Sequence, residues 1–274
     1  MKTHPWHIIG RLKVFLFISF LITQFSIVKA SEKKYFLNSI QIIKVDTIKK
    51  QRVILFDVNE TLMDLSPLKK KVNAILSNNK GFQVWFGMLL QYSLVDNHTE
   101  YHDFSAIASA TLDMTANNFG VHLNPTSKHD ALSEIKKLKA YPDVSEGLHL
   151  LKEAGFKLAT LTNSPLSTLT AQLESVGIKK YFDATLSIDQ VKKYKPAPES
   201  YEYAAKTLGV NNDEIIMVAA HGWDIAGALH SGLKAAFIER EGQALYLLSA
   251  QPQFNGKTLT EVAKQIINTF AAKN

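Results

Sequence analysis

An apolar run that ends in a single carboxylate constrains this chain more than any other feature. The run is Val53 to Phe56, and Asp57 follows it directly before a polar loop. Such a run is typical of a strand that is buried on both faces of a parallel sheet. Ligands of open α/β sheets bind just beyond the carboxyl ends of the strands. The pattern therefore predicts that Asp57 lies in a functional site, where an aspartate can act as a covalent nucleophile.

The first thirty residues predict an export signal rather than a part of the fold. Lys2, Arg11 and Lys13 precede an apolar stretch that runs to about Val28, and Val28-Lys29-Ala30 has the small or aliphatic residues of a cleavage site. An uncleaved anchor helix is the alternative, but a membrane span needs about 20 apolar residues and this stretch is shorter. We expect residues 1–30 to be removed, the protein to be periplasmic or secreted, and no stable membrane anchor to remain.

Composition limits the classes of partner. The remaining residues 31–274 suit one α/β domain with a smaller inserted domain. Of the net charge of +6, four positive charges and no negative ones lie in residues 1–30, so the rest is nearly neutral and does not favour a nucleic-acid partner. The absence of cysteine excludes disulfides, thiol nucleophiles and cysteine-bound metals, and it is compatible with an oxidising compartment.

Hydrophobic periodicity divides the mature chain into a core, formed by residues 31–63 and 141–274, and a helical cap, residues 64–140. Ser66 and Pro67 look like the capping residue and first residue of a helix. Helical spacing then continues without a strand pattern, which predicts four or five cap helices. The core alternates strands and helices, which predicts a doubly wound parallel sheet. Its expected strands are at 157–162, 184–187, 214–220 and 234–238, with helices at 144–154, 166–176, 198–208 and 224–230, and Ile40–Ile43 is an edge strand or an arm.

Four segments in this order resemble the motifs of the haloacid dehalogenase (HAD) superfamily, and in particular its type II (S)-2-haloacid dehalogenase branch. They are Asp57–Leu62 with the pattern D-x-x-x-T, Thr160–Ser164, the K-P-x-P segment Lys195–Pro198, and Val218–Ala228 with the pattern W-D-x-x-G-A. The resemblance implies an HAD-like doubly wound core with an inserted helical cap. It also implies hydrolysis of a small 2-haloalkanoic acid to a 2-hydroxy acid through an aspartyl ester.

The resemblance assigns catalytic roles to residues of this chain. Asp57 would attack the carbon that bears the halogen, and Thr61 completes the same motif. Lys195 would keep Asp57 ionised, because an ammonium group close to a carboxylate lowers its pKa. Asp224 would position or activate the water that hydrolyses the ester.

A second set of residues is expected to contact the substrate. Val58 and Asn59 follow the nucleophile in its loop. Thr162 and Asn163 match the family residues that hold the substrate carboxylate, although Asn163 is also suited to cap the next helix. Tyr201 lies where the branch has a tyrosine near its active site.

Asn59 argues against phosphoester chemistry. HAD phosphatases carry a second aspartate at this position, which protonates the leaving alcohol, and an amide cannot transfer that proton. Halide leaves without a proton. Because Asp224 is also the only acid in its motif, we predict no metal and no other cofactor. We expect Glu60 to point elsewhere in the loop.

Two positions depart from the dehalogenase pattern. His221 stands where the branch has an asparagine, and it is expected either to replace that residue as a hydrogen-bond partner or to act as a base near neutral pH. Phe86 stands where the branch has a halide-binding arginine. Trp85, Gln91 and Asn117 are candidates to donate hydrogen bonds to the site or to line it.

Two alternatives to a dehalogenase remain open from the sequence. One is a Mg²⁺-dependent phosphatase on the same fold. The other is an exported binding protein that has lost turnover, which the missing arginine supports. In the dehalogenase interpretation the partner is a small haloacid, and the relatives of this branch suggest a homodimer by analogy.

Overall fold

The computed structural model describes residues 52–271, so the expected signal peptide and the segment Ile40–Ile43 lie outside the described part. The described residues build a six-stranded sheet and a separate two-stranded ribbon. The strands are β1 (Val53–Phe56), β2 (Met63–Asp64), β3 (Lys139–Ala140), β4 (Lys157–Thr162), β5 (Ala184–Ser187), β6 (Ile215–Ala219), β7 (Lys234–Ile238) and β8 (Phe254–Gly256).

The first strand of the chain lies in the middle of the six-stranded sheet, whose order is β5-β4-β1-β6-β7-β8. All of its strand pairs are parallel, and Phe56 is paired with Thr160 on one side and Val218 on the other. All four side chains of β1 are completely buried, as the apolar run predicts. The order reverses at β1, so a crevice forms beside its carboxyl end. The predicted doubly wound parallel sheet is confirmed.

Helices alternate with the strands of this sheet. They are α1 (Ser66–Ile75), α2 (Gly81–Asp96), α3 (Phe104–Asn118), α4 (Pro125–Ser133), α5 (Val144–Glu153), α6 (Leu166–Ser175), α7 (Pro198–Leu208), α8 (Gly222–His230) and α9 (Leu259–Ala271), with short 3₁₀ turns between some of them. Positive φ angles at Gly177 and Gly209 end α6 and α7, which are the turns that the sequence indicates.

The first four helices form one insertion, residues 66–136, between β2 and β3. These two short strands pair antiparallel, Met63 with Ala140 and Asp64 with Lys139, so the chain leaves and re-enters the core at one place. Within the insertion α2 packs along α3, and the indole Nε1 of Trp85 donates to the carbonyl oxygen of Ala108 at 2.9 Å. The number of helices agrees with the expected four or five. That residues 64–140 act as a separate cap stays a prediction.

The start of α1 differs from the sequence prediction. Ser66 is already helical and its side chain does not cap the helix, since Leu65 occupies the capping position. Asp64 provides the acceptor instead, because its Oδ1 lies 2.8 Å from the backbone nitrogen of Ser66. No helix among residues 52–271 is long and apolar enough to cross a membrane.

Candidate active site

The end of β1 places Asp57 at the carboxyl edge of the sheet. Its backbone N–H donates to the carbonyl oxygen of Val218 at 3.0 Å, which extends the pairing of β1 with β6 by one residue. The loop turns back at once, because the carbonyl oxygen of Val58 accepts from the N–H groups of Leu62 and Met63. The Asp57 side chain is only 7% exposed. The predicted nucleophile is therefore held rigidly, with little access to bulk water.

Lys195 joins two carboxylates beneath this edge. Its Nζ lies 2.9 Å from Oδ1 of Asp57 and 2.6 Å from Oδ2 of Asp224, and its side chain is completely buried. The loop that carries Lys195 is fixed by Asn163, whose Oδ1 accepts from the Lys195 backbone N–H at 3.0 Å. The structure therefore brings together the three charged residues that the motifs single out.

Tyr201 positions Asp224 from the neighbouring helix. Its hydroxyl donates to Oδ1 of Asp224 at 2.6 Å, and its side chain is completely buried. Gly227 allows this contact, because a Cβ atom there would lie 2.3 Å from Cβ of Pro196 and 2.7 Å from the Tyr201 hydroxyl. The substrate contact expected for Tyr201 stays a prediction, while its hydroxyl is committed to Asp224 in this structure.

Thr61 binds the nucleophile directly. Its hydroxyl donates to Oδ2 of Asp57 at 2.7 Å and accepts from the backbone N–H of Ala220 at 2.9 Å. Arg240, which the sequence did not single out, holds the same loop: its guanidinium donates to the Thr61 carbonyl oxygen and forms a two-pronged ion pair with Asp143. An isolated arginine far along the chain carries no sequence signal for such a role.

His221 lies between two carboxylates. Its Nδ1 is 3.2 Å from Oδ2 of Asp57, and its Nε2 is 2.9 Å from Oε2 of Glu60. The expectation that Glu60 points elsewhere in the loop is therefore wrong. The backbone of Glu60 is in the left-handed region, with a φ of +60°, and its carboxylate contacts the ring of His221 just beyond the end of β6.

The charges of these groups determine their chemistry. Burial alone would raise the pKa of Asp57, but Lys195 and His221 outweigh it and hold that pKa below its usual range. Burial would lower the pKa of Lys195, yet the two carboxylates raise it. Burial raises the pKa of Asp224 against the opposing charge of Lys195. Asp57 is thus the persistent anion, and Asp224 is the stronger base of the two.

The two carboxylates beside His221 favour the charged form of its ring. Burial would lower its pKa, but the hydrogen bonds with Asp57 and Glu60 raise it to about 9. The raised pKa favours the doubly protonated ring at neutral pH. The role of His221 as a base near neutral pH stays a prediction. The alternative expectation, a hydrogen-bond partner of the site, agrees with the geometry.

The expected substrate contacts surround the same edge. Val58 is buried, and Asn59 donates to Oγ of Ser164 at 3.0 Å while its Oδ1 accepts from Gln172 at 2.9 Å. Oγ1 of Thr162 accepts from the Ser164 backbone N–H, which leaves its own proton free to donate. Their roles in binding substrate stay predictions.

A cavity of about 110 Å³ opens between the helical insertion and this edge. No charged side chain lines it among the described residues. The lining residues are Asn59, Leu65, Leu68, Trp85, Phe86, Leu89, Phe104, Ser105, Ala108, Leu132, Ile135, Ser164 and Thr168. Its size and apolar walls favour a small organic molecule over a large polar one.

Comparison with known proteins identifies the family. The family model for haloacid dehalogenase-like hydrolases matches residues 51–232, which is more than half of the chain. The chain is a haloacid dehalogenase-like hydrolase.

Relatives of this hydrolase support the (S)-2-haloacid dehalogenase branch. The (S)-2-haloacid dehalogenase 4A of Burkholderia cepacia is 31% identical over 70% of this chain and 84% of its own. Haloacetate dehalogenase H-2 of Moraxella sp. (strain B) is 27% identical over 76% of this chain and 94% of its own. The crystal structure of L-2-haloacid dehalogenase from Xanthobacter autotrophicus with covalently bound chloropropionic acid shares the fold, with a TM-score of 0.70, 24% identity and coverage of 79% and 98%.

The structure shows where the residues that differ from the dehalogenase pattern lie in this haloacid dehalogenase-like hydrolase. Phe86 lines the cavity and stacks on His221. Trp85 also lines the cavity, but its N–H is already bound to Ala108. Gln91 and Asn117 are exposed and do not line it, so the expectation that they contribute is wrong. Within residues 52–271, no group of three or more acidic residues and histidines is arranged to hold a metal ion.

Proposed function

We propose that this hydrolase converts small 2-haloalkanoic acids into 2-hydroxy acids through a covalent ester of Asp57. The observation that carries the proposal is the pairing of Asp57 with the buried ammonium of Lys195, at 2.9 Å, at the carboxyl end of the central strand. A carboxylate kept ionised and shielded from bulk water is a competent nucleophile toward carbon. The relatives named for (S)-2-haloacids and haloacetate support this class of substrate.

Oδ1 is the oxygen of Asp57 that attacks. A carboxylate oxygen has two lone pairs, and Oδ2 already accepts from both Thr61 and His221. Among the described residues Oδ1 accepts from Lys195 alone, so one lone pair remains. Oδ1 forms a bond to C2 from the side opposite the halogen, and the halide leaves with the electron pair of the broken bond. This route inverts C2.

Hydrolysis of the ester restores the enzyme. Water attacks the carboxyl carbon of Asp57 and gives up a proton to Asp224, whose raised pKa makes it the better acceptor. The bond between that carbon and Oδ1 then breaks, and Oδ1 leaves with the product as its hydroxyl oxygen, taking the proton back. The second proton of the water is released from Asp57 as it ionises. The sum is haloacid plus water giving hydroxy acid, halide and a proton.

The site is poorly suited to phosphate esters. The position after Val58 holds Asn59, whose amide is engaged with Ser164 and Gln172 and has no acidic proton to give a leaving alcohol. Loss of halide needs no such proton, so Asn59 favours it.

We also propose that the enzyme works outside the cytoplasm, because residues 1–30 have the pattern of a cleaved signal peptide. N-terminal sequencing of the protein after export should begin at Ser31. Recovery of the full-length chain from the cytoplasm would contradict this proposal.

Halide release tests the proposed function. Purified enzyme is incubated with (S)-2-chloropropionate and with monohaloacetates, with EDTA present. We expect release by the wild type and by the control Asp130→Asn, in which an exposed carboxylate is changed, but none by Asp57→Asn. Release from a phosphomonoester that depends on Mg²⁺, with no release of halide, would contradict the proposal.

A further inference from the structure

The two hydrogen-bond contacts of His221 indicate the protonation state of its ring. Each ring nitrogen faces a carboxylate oxygen, Oδ2 of Asp57 on one side and Oε2 of Glu60 on the other. A neutral imidazole has one N–H, so one of its nitrogens would direct a lone pair at a carboxylate. When both carboxylates are ionised, only the imidazolium satisfies both contacts, and the His221 side chain is 5% exposed.

Oδ2 of Asp57 accepts hydrogen bonds from two donors. The Thr61 hydroxyl donates to it, because an ionised carboxylate oxygen can only accept, and the same hydroxyl accepts from the Ala220 N–H. The His221 Nδ1–H provides the second donor. When Oδ1 becomes the ester oxygen, Oδ2 becomes the carbonyl oxygen, which takes up negative charge as water attacks. Donors that are already in place at a developing oxyanion lower the barrier of such a step.

We propose that Glu60 and His221 form a carboxylate–imidazolium pair whose Nδ1–H, with the Thr61 hydroxyl, stabilises the oxyanion on Oδ2 of Asp57 during hydrolysis of the ester. This inference rests on the proposed ester mechanism. His221 is the catalytic residue of the pair, and Glu60 is a positioning residue that keeps the ring charged and oriented. The asparagine that the branch has at position 221 can donate a hydrogen bond but carries no charge.

The surroundings of the ring explain why Glu60 is needed. Esterification neutralises Asp57, so among the described residues Glu60 is then the carboxylate that still contacts His221. Phe86 and Trp223 stack on the ring, with centroid distances of 6.3 and 5.0 Å, and neither carries a charge. Lys195 and Asp224 lie beyond Asp57 and neutralise each other. Without Glu60 the buried cation would lose its proton.

The backbone conformation of Glu60 supports its role as a partner of His221. Its φ of +60° is unfavourable for a residue with a side chain. That conformation directs the carboxylate to Nε2 of His221. The strain is therefore retained at the position where the contact to the imidazolium is made.

In this step His221 donates a hydrogen bond but does not transfer its proton. Water forms a bond to the carboxyl carbon of Asp57, the carbonyl electron pair moves to Oδ2, and it returns when the bond to Oδ1 breaks. A base at this position would instead have to be neutral before the step. The two roles predict opposite pH dependence for hydrolysis of the ester.

The test measures ester formation and ester hydrolysis separately. Enzyme is mixed with (S)-2-chloropropionate. The initial burst of released halide measures formation of the ester, and the decay of the added mass on the intact protein measures its hydrolysis. In Glu60→Gln we expect hydrolysis to slow by about 10-fold or more while the burst changes little, so the ester accumulates. The control Glu100→Gln, an exposed residue, should match the wild type.

The pH profile decides between the two roles. For an oxyanion donor, hydrolysis of the wild-type ester falls as pH rises, Glu60→Gln moves the fall to lower pH, and His221→Asn removes it. A rate that rises with pH through the titration of His221 would overturn the proposal in favour of a base. So would an unchanged hydrolysis rate in Glu60→Gln.

A measurement without turnover separates this inference from the proposed function. Imidazole resonances of His221 are assigned by their loss in His221→Asn and are titrated in Asp57→Asn, which mimics the neutral ester. We expect the ring to stay protonated at neutral pH in Asp57→Asn and to lose that proton in Asp57→Asn/Glu60→Gln. Equal titration in both variants would overturn the pair, whether or not any haloacid reacts. Absence of halide and of ester with normal titration would reject the substrate class alone.

Discussion

Phe86 and His221 stack on each other, with ring centroids 6.3 Å apart and planes 27° apart. These are the two positions where the resemblance to the (S)-2-haloacid dehalogenase branch implies an arginine and an asparagine. A guanidinium at position 86 would face a buried imidazolium and be repelled, whereas a phenyl ring packs against it. The two departures from the branch therefore lie in contact with each other, so the side chain at one position limits what the other position can hold.

Introducing the arginine alone should harm the enzyme. Phe86→Arg places a second cation against His221, so we expect lower stability and slower halide release than in Phe86→Leu, which removes the ring without adding charge. The double variant Phe86→Arg/His221→Asn removes the repulsion. A double-mutant cycle of urea unfolding should give a favourable coupling on the order of 1–3 kcal/mol. Additive effects of the two changes would show that the side chains do not interact.

Stability should depend on pH through His221. Its folded-state pKa is raised from the ordinary 6.5 to about 9, so protonation stabilises the folded protein. That stabilisation is complete below about pH 6.5 and is lost as the pH rises through about 9, with an upper limit of about 3 kcal/mol. Urea unfolding across this range should show a decline in the wild type that His221→Asn lacks. The same decline in both proteins would assign it to other groups.

Removing the cation of Lys195 should damage folding and chemistry together. Lys195→Met leaves Asp57 and Asp224 buried without their shared partner, which costs about 3–5 kcal/mol in the free energy of unfolding. Halide release should disappear, since Asp57 becomes harder to ionise. The matched control is Lys192→Met, an exposed lysine of the same loop, which should stay within about 0.5 kcal/mol of the wild type. Equal losses in both variants would point to the loop and not to the ammonium.

Tyr201 should act through Asp224. Tyr201→Phe removes the donor at 2.6 Å from Oδ1 of Asp224 and leaves a buried carboxylate oxygen with fewer partners, at a cost of about 1–3 kcal/mol. We expect a lower kcat for halide release with KM little changed, because Asp224 acts after substrate binds. Tyr203→Phe, on the same helix but half-buried, is the control. A raised KM with normal kcat would instead indicate that Tyr201 contacts the substrate, as expected from the sequence.

Much of the fold follows from local sequence patterns. The strand before Asp57 was predictable because its four buried residues form an uninterrupted apolar run, and β6 and β7 contain similar runs. Strands β2 and β3 have only two residues each and pair across the whole insertion, so neither has a pattern of its own. In contrast, α9 carries an amphipathic spacing, with Leu259, Val262, Ala263 and Ile266 all buried, and this signal was available.

The candidate site was predictable where a motif holds several residues at fixed spacing. Asp57, Thr61, Lys195 and Asp224 all meet in the structure, as the three motifs that contain them imply. Glu60 was not predictable in the same way, because its direction depends on a left-handed backbone angle that a glutamate rarely adopts. The charge of His221 in turn depends on that contact.

The covalent role of Asp57 is tested most directly by one turnover in water labelled with ¹⁸O. Enzyme in excess over (S)-2-chloropropionate is allowed to react once, and both the product and the peptide that contains Asp57 are analysed by mass spectrometry. If water attacks the carboxyl carbon of an Asp57 ester, the label enters Asp57 and the first hydroxy acid carries none. Label in that first hydroxy acid, with none in Asp57, would mean that water attacks the substrate directly and would contradict the ester.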